Sequence, residues 1–232
     1  MTFGQTVDWG RVVDLRGEIL YRLGEHLQLT VVAVLVGLAI SLPLGIYAYR
    51  HKWSYGPITA VTGILYTIPS LALFAFLLPY TGLEGIETAE IGLVSYTLLI
   101  LIRNIVSGLE SVPADAHEAA RGMGYSNRQL LWRVELPLAL HVIMAGVRLA
   151  TVTTIGLVTV TAIIGKGGLG RFILDGLNQF DSTLSLTGAI LSLVLALAAD
   201  FALVRVERLV TPWARGRDAV RDTAGFPEPQ GV

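Results

Sequence analysis

IIGKGGLGRF, Ile163 to Phe172, decides between two kinds of protein. Gly165, Gly167 and Gly170 keep the spacing G-x-G-x-x-G, the fingerprint of dinucleotide-binding loops. That spacing carries its meaning only between a short buried strand and a helix of a parallel α/β unit. What precedes Gly165 is instead Leu138–Ile164, long and apolar enough to cross a bilayer. A P-loop is absent too: Lys166 follows Gly165, but Val160 stands at the first glycine position and Gly167 at the Ser/Thr position. The stretch therefore reads as a tight turn that ends a helix, its glycines supplying positive φ.

Composition agrees with a lipid environment. Of 232 residues 53% are hydrophobic and only 15% charged, and mean hydropathy is +0.63. Soluble domains carry about a quarter charged residues. A net charge of −1 gives no reason to invoke nucleic acid, and the absence of cysteine excludes disulfides, thiolate metal sites and a cysteine nucleophile. The mixed charges of residues 8–26 do not resemble a cleaved signal.

Five segments reach spanning length: about 27–49, 57–79, 89–109, 138–164 and 184–204. The third is the weakest, because Arg103 and Asn104 interrupt it. None alternates like a strand, so the expected fold is all-α, a polytopic membrane bundle of five transmembrane helices over a domain of residues 27–210. With the C-terminus inside, the inner segments hold eleven Lys and Arg and the outer ones five. The loop Thr81–Thr88 has Glu84 and Glu87 and no base. Both favour an N-out, C-in arrangement. Residues 1–26 form an arm whose Trp9, Val12, Val13, Ile19, Leu20 and Leu23 share one face, which predicts an interfacial amphipathic helix. The polar tail, 211–232, reads as loose.

Between spans three and four, residues 111–137 are too long for a simple connector. Asp115 or Pro113 starts a first helix that Gly124 ends as a C′ glycine, and Ser126 caps a second over Asn127–Val134. Pro137 is expected to stop that second helix where span four begins.

This loop carries Glu118-Ala119-Ala120, three residues, Gly124, nine residues, Val134, one residue, then Leu136-Pro137. It resembles the E-A-A loop of importer-type ABC transporter permeases, with Val where Ile is usual. The resemblance implies a coupling helix that docks on a separate cytoplasmic ATPase subunit, which rocks the permease between inward-open and outward-open states. ATP and its magnesium would then be held by that partner, and no cofactor or metal by this chain. On this reading Ala119 and Ala120 offer a shallow surface, Glu118 a carboxylate for a basic partner, and Gly124 a sharp reversal.

Further blocks, HLQLT, YTIPSLALFAFLLP, LIRNIVSGLESV, GVRLATVTTIGLVTVTAIIGKGGLG and FILDGLNQFD, are similar to osmoprotectant permeases for glycine betaine, carnitine, choline or related quaternary amines. Permeases for methionine and other amino acids share the E-A-A core and stay as an alternative. The resemblance implies an extracytoplasmic substrate-binding protein, which holds the selective pocket, and a second permease copy or a paralogue. The scattered aromatics suggest no cation–π cage in this chain, and Tyr47, Tyr49 and Tyr80 near span ends suit contact with lipid headgroups.

Several polar residues lie inside the spans. Thr151, Thr154 and Thr161 share a face of span four, where they either line a wetted path or, as we favour, pack and bond their own backbone. Arg148 and Asp200 fall in the inner halves of spans four and five and are expected to pair, the alternative being that each snorkels separately. Pro69 should kink span two. A self-contained carrier or channel is the rival class; it leaves the E-A-A loop unexplained, and no internal repeat is visible. Neither H-E-x-x-H nor G-x-S-x-G occurs, so no enzyme class is indicated.

Overall fold

The structure, a computed structural model, describes residues 8–81 and 86–211. Glu84, the Trp9 side chain and the tail beyond Thr211 lie outside the described residues. Among the described residues every regular element is helical: α1 Trp9–Asp14, α2 Arg16–Arg50, α3 Lys52–Thr67, α4 Ser70–Thr81, α5 Ile86–Glu110, α6 Ala114–Gly122, α7 Asn127–Leu130, α8 Leu136–Val160, α9 Gly170–Gln179 and α10 Ser182–Val210. A π-turn, Leu131–Glu135, joins α7 to α8, and a 3₁₀ turn, Thr161–Ile164, ends α8.

The third span is the centre of the bundle rather than its weak member. Helix α5 has its core-facing residues Leu93, Leu101, Ile102, Ile105 and Leu109 almost wholly covered, with α2 and α8 as its main neighbours. Arg103 points to the exposed side, and Asn104 Nδ2 donates to the Ile100 carbonyl at 2.8 Å, so neither interrupts the packed face. Lipid tails are as apolar as leucine, so close backbone approach has to hold such helices together. Small residues allow it: a Cβ on Gly37 would fall 1.9 Å from Thr97 Oγ1, and one on Gly146 2.4 Å from Asn104 Cβ.

Two sets of ties mark the ends of the bundle. Lys52 pairs with Glu110 and Arg50 with Glu135, gathering the C-terminal ends of α2 and α5 beside the loop of α6 and α7. At the other end Leu169 donates to His26 Nδ1 at 3.3 Å, and His26 Nε2 lies 3.1 Å from the Ile155 carbonyl. The hydroxyls of Thr81 and Thr88 meet where α4 turns into α5. Since α5 starts at the far end and α2 finishes at the near one, the pair α3–α4 must cross between them. Four helical rods among the described residues are long and apolar enough to cross a membrane, the bent pair α3–α4 counts as a fifth when taken as one span, and the first and last described residues lie at opposite ends.

The second crossing is not one kinked helix over 57–79. Helices α3 and α4 meet at 94°. Ile68 is extended (φ −63°, ψ 128°), as a residue before proline prefers, and α3 therefore stops at Thr67. The Ile68 carbonyl, exposed by the break, accepts a bond from the Tyr96 hydroxyl half-way along α5. An unpartnered acceptor at that depth would be costly, because lipid offers it nothing.

The N-terminal arm also differs from expectation. Its second part is not a separate helix: α2 runs unbroken from Arg16 into the first span. Ile19 and Leu23 of the apolar stripe, with Leu15, pack on Leu169, Phe172 and Leu184, whereas Val13 and Leu20 stay exposed. The Ile163–Phe172 stretch is indeed a turn. Gly165 caps the 3₁₀ turn with φ 83°, and Gly168, at φ 48°, sits so close to α2 that a Cβ there would lie 2.5 Å from His26 Cβ. Helix α9 beyond it had no counterpart among the expected elements.

Asp181 joins the last crossing to the arm. Its Oδ1 accepts from the amides of Thr183 at 2.9 Å and Leu184 at 3.2 Å, capping α10, while Oδ2 pairs with Arg11. Burial alone would push this carboxyl up, but the Leu184 amide, the Arg11 guanidinium and the Thr183 amide hold it below the usual carboxylate range. Asp181→Ala should lower stability by about 1 kcal/mol at neutral pH. A depressed folded-state pKa contributes above the unfolded value and is lost as pH falls through the folded one. Thermal unfolding in detergent should therefore show the variant and parent converging in acid; a gap that stays constant would refute the charge's part.

Candidate functional site

The loop between α5 and α8 is built from standard capping chemistry. Pro113 (φ −60°, ψ 142°) precedes α6, and Asp115 lies in its first turn, where a carboxylate suits the helix dipole. At the other end Tyr125 donates to the Ala120 carbonyl at 3.1 Å and Gly124 to that of Arg121 at 2.9 Å, a complete Schellman turn. It requires the φ of 79° that Gly124 supplies. Ser126 and Gln129 then form a reciprocal capping box, 3.3 Å from Gln129 N to Ser126 Oγ and 2.8 Å from Ser126 N to Gln129 Oε1.

Pro137 does not stop the second loop helix. Residues Asn127–Ile164 form one continuous 38-residue helical rod. The proline has no N–H for the carbonyl four residues back, and its ring crowds that carbonyl. The widened π-turn, Leu131–Glu135, stands directly ahead of it and takes up the misfit.

The expected site residues divide into two sets. Glu118, Ala119 and Gly124 are exposed at the loop end. Ala120 is not: it is 1% exposed and turned inward, so the open surface of α6 is Glu118-Ala119 rather than the alanine pair. Val134, Leu136 and Pro137 are half-buried, and Leu136 packs against the main core cluster. A groove lined by Val112, Ala114, His117, Glu118 and Arg121 runs along α6. A second, beside it, is lined by Ser126, Arg128, Gln129, Trp132 and Arg133. Both grooves mix charged and apolar side chains, with Val112 and Ala114 in the first and Trp132 in the second.

The intramembrane residues behave as follows. Arg148 and Asp200 form a two-pronged pair, Nε to Oδ1 at 2.9 Å and Nη2 to Oδ2 at 3.2 Å, and Arg148 Nη1 also reaches Glu207 at 3.4 Å. Thr151, Thr154 and Thr161 are buried, and each hydroxyl donates to its own helix: to Val147 at 2.8 Å, Ala150 at 2.7 Å and Val158 at 2.7 Å. Those bonds fit the packing reading better than a wetted path.

Three residues at the loop escaped the sequence reading, Arg50, His117 and Glu135, and Tyr49, expected to meet lipid headgroups, joins them. Glu135 is 1% exposed and accepts from Arg50 Nη2 at 2.8 Å. Its other oxygen lies 3.1 Å from His117 Nε2 and 3.4 Å from the Tyr49 hydroxyl. The spacing pattern of the loop leaves position 135 open, so nothing in it distinguishes this glutamate.

Comparison with known proteins places this geometry in context. A family model described as binding-protein-dependent transport system inner membrane component matches residues 37–212. The glycine betaine/carnitine/choline transport system permease protein OpuCB of Bacillus subtilis is 38% identical over 84% of this chain and 90% of its own length. The carnitine transport permease protein OpuCB of Listeria monocytogenes is 41% identical over 84% and 89%. The osmoprotectant import permease protein OsmW of Salmonella typhimurium is 37% identical over 87% and 95%. In fold, the chain superposes on a chain of the MetNI methionine ABC transporter in an inward-facing conformation with a TM-score of 0.78. That match has 24% identity and covers 85% of this chain and 98% of that one.

Removing Arg148 leaves Asp200 and Glu207 without their shared cation, and an uncompensated charge in a spanning helix is expensive. Arg148→Gln should destabilise the protein by about 1–3 kcal/mol. Arg148→Gln with Asp200→Asn should recover most of that loss. The fraction surviving graded heating in detergent measures both; equal survival of single and double variants would mean that the pair contributes nothing.

Proposed function

The chain belongs to the family of binding-protein-dependent transport system inner membrane components, and on that premise we propose that it is the permease subunit of an ATP-driven importer for osmoprotectants. Its solutes are glycine betaine, carnitine, choline or related quaternary amines. The observation that supports this substrate class is the set of relatives 37–41% identical over 84–87% of the chain, whose names specify those solutes or osmoprotectants.

The work divides among chains. The loop of α6 and α7 faces the cytoplasm and receives the ATPase subunits, with Glu118, Ala119 and the turn at Gly124 as the surface they touch. Ala120, Val134, Leu136 and Pro137 hold that surface to the bundle. ATP and magnesium are bound and hydrolysed on the partner. The opposite end, with the glycine turn and α9, faces outward and receives the binding protein. A second permease copy or a paralogue completes the pathway, against the apolar faces of the bundle that lipid otherwise covers. The eleven-to-five distribution of basic residues supports this orientation.

Uptake of labelled glycine betaine and choline by cells that depend on this transporter tests the reading, parent against Gly124→Trp. The glycine has open space around it, but its φ of 79° strains any side chain, so Gly124→Ala, which carries the same backbone strain without the bulk, is the control that separates obstructed docking from a disturbed turn. Uptake should fall by about tenfold or more with the protein still inserted, as expected where coupling energies reach a few kcal/mol. Unchanged uptake would remove the loop from the energy path, and transport of methionine in place of both solutes would favour the amino-acid alternative.

A further inference from the structure

Glu135 is an unusual residue to bury. A carboxylate taken out of water is costly unless paired, and replacing a buried ion cluster by apolar residues is often neutral or stabilising. Stability alone therefore does not account for it. Its partners come from separate elements: Arg50 and Tyr49 from the last turn of α2, and His117 from the exposed helix α6. Arg50 Nη2 also donates to the Asn127 carbonyl at 3.2 Å, bringing in α7. The His117 ring is held from both sides, with Nδ1 3.1 Å from the Pro113 carbonyl and Nε2 3.1 Å from Glu135. Glu135 is also the last residue of the π-turn, a distortion often found at functional sites.

These elements are the moving part and what it must move. Helix α6 carries the docking face, whereas α2 is a 35-residue rod reaching from the loop to the glycine turn at the far end. Direct packing between α6 and α2 is slight. We propose that Glu135 is the positioning residue that couples α6 to α2, so that a displacement of the docking face is delivered to the first crossing instead of being absorbed by the loop. This rests on the reading of the loop as the ATPase contact. Arg50 is the receiving end of the tie, and His117 fixes the orientation of the carboxylate.

The chain has no cysteine, so Met123→Cys on the loop and Tyr47→Cys on α2 place the labels, and dilution with unlabelled permease leaves one spin pair per complex where a second copy is present. Both positions are exposed. The labelled permease would be assembled with its ATPase and binding protein in liposomes and measured without nucleotide and with ATP. With Glu135 present, the inter-label distance should form one narrow distribution in both states. Glu135→Gln should broaden it in both, while glycine betaine uptake per ATP hydrolysed falls about tenfold. Arg50→Lys, which keeps the cation but loses the forked donor, should give intermediate broadening and serves if Glu135→Gln fails to assemble.

A distribution as narrow in the variants as in the parent would overturn the tie. So would uptake and hydrolysis falling in proportion in an intact complex. Broadening in the variants with no ATP-driven uptake by the parent would support the tie and remove the transport reading instead.

Discussion

Everything in this bundle depends on how closely α2 and α8 approach α5. In water, burying leucine against leucine would itself drive assembly; in a bilayer it does not, because the lipid is equally apolar. What remains is dispersion at short range and a few hydrogen bonds, both of which require backbones to come near. Gly37 opposite Thr97, and Gly146 opposite Asn104, provide that nearness on the two sides of α5. The polar groups at those contacts are then satisfied locally: Thr97 Oγ1 donates to the Val94 carbonyl at 2.8 Å and Asn104 to Ile100. A central helix with polar residues at its contacts is thus compatible with lipid on the outside.

The same accounting of polar groups explains the bent crossing. A right-angled break inside a bilayer frees carbonyls and amides on both sides of it, and such a break persists only where protein shields or satisfies them. Here Tyr96 from α5 reaches the Ile68 carbonyl, and Tyr66 meets the Tyr96 ring edge-on with centroids 6.0 Å apart. The fold thereby holds an irregular backbone at mid-depth by aromatic contact with its own core helix. At the loop end the device is different, since charges replace rings: Lys52 with Glu110, and Arg50 and His117 with Glu135.

Much of this was legible from residues alone, and the reasons for the rest are specific. Long apolar runs disclosed the crossings because lipid imposes a length, and Gly124, Ser126 and Gly165 disclosed turns because backbone geometry restricts who can stand there. Pro69 announced a bend but not its size, which depends on a tyrosine 27 positions away. Pro137 signalled a stop because a proline forbids an α-turn; it says nothing of a π-turn that avoids the conflict. The arm's apolar stripe is visible, yet amphipathicity does not say which of its residues meet protein: Ile19 and Leu23 do so only once α9 brings up Leu169 and Phe172, while Val13 and Leu20 stay exposed. Glu135 was hidden for a related reason. A charged residue beside exposed Arg133 reads as solvated, and its burial follows from Arg50, 85 positions earlier.

One consequence concerns the membrane itself. At 1.5 Å per residue, α2 extends about 50 Å and the rod from Asn127 to Ile164 nearly 60 Å, against a hydrocarbon layer of about 30 Å. Each rod is therefore longer than the layer it crosses, and the polar stretches Arg16–His26 and Asn127–Glu135, about a third and a quarter of their rods, project into water. A bilayer a few ångströms thicker or thinner changes the tilt of such rods and which of their turns are wetted, at a cost of fractions of a kcal/mol per ångström. It does not unmake their ends. The working surface at the loop is in this sense carried on stilts, and its shape is set by protein contacts rather than by the thickness of the lipid beneath it.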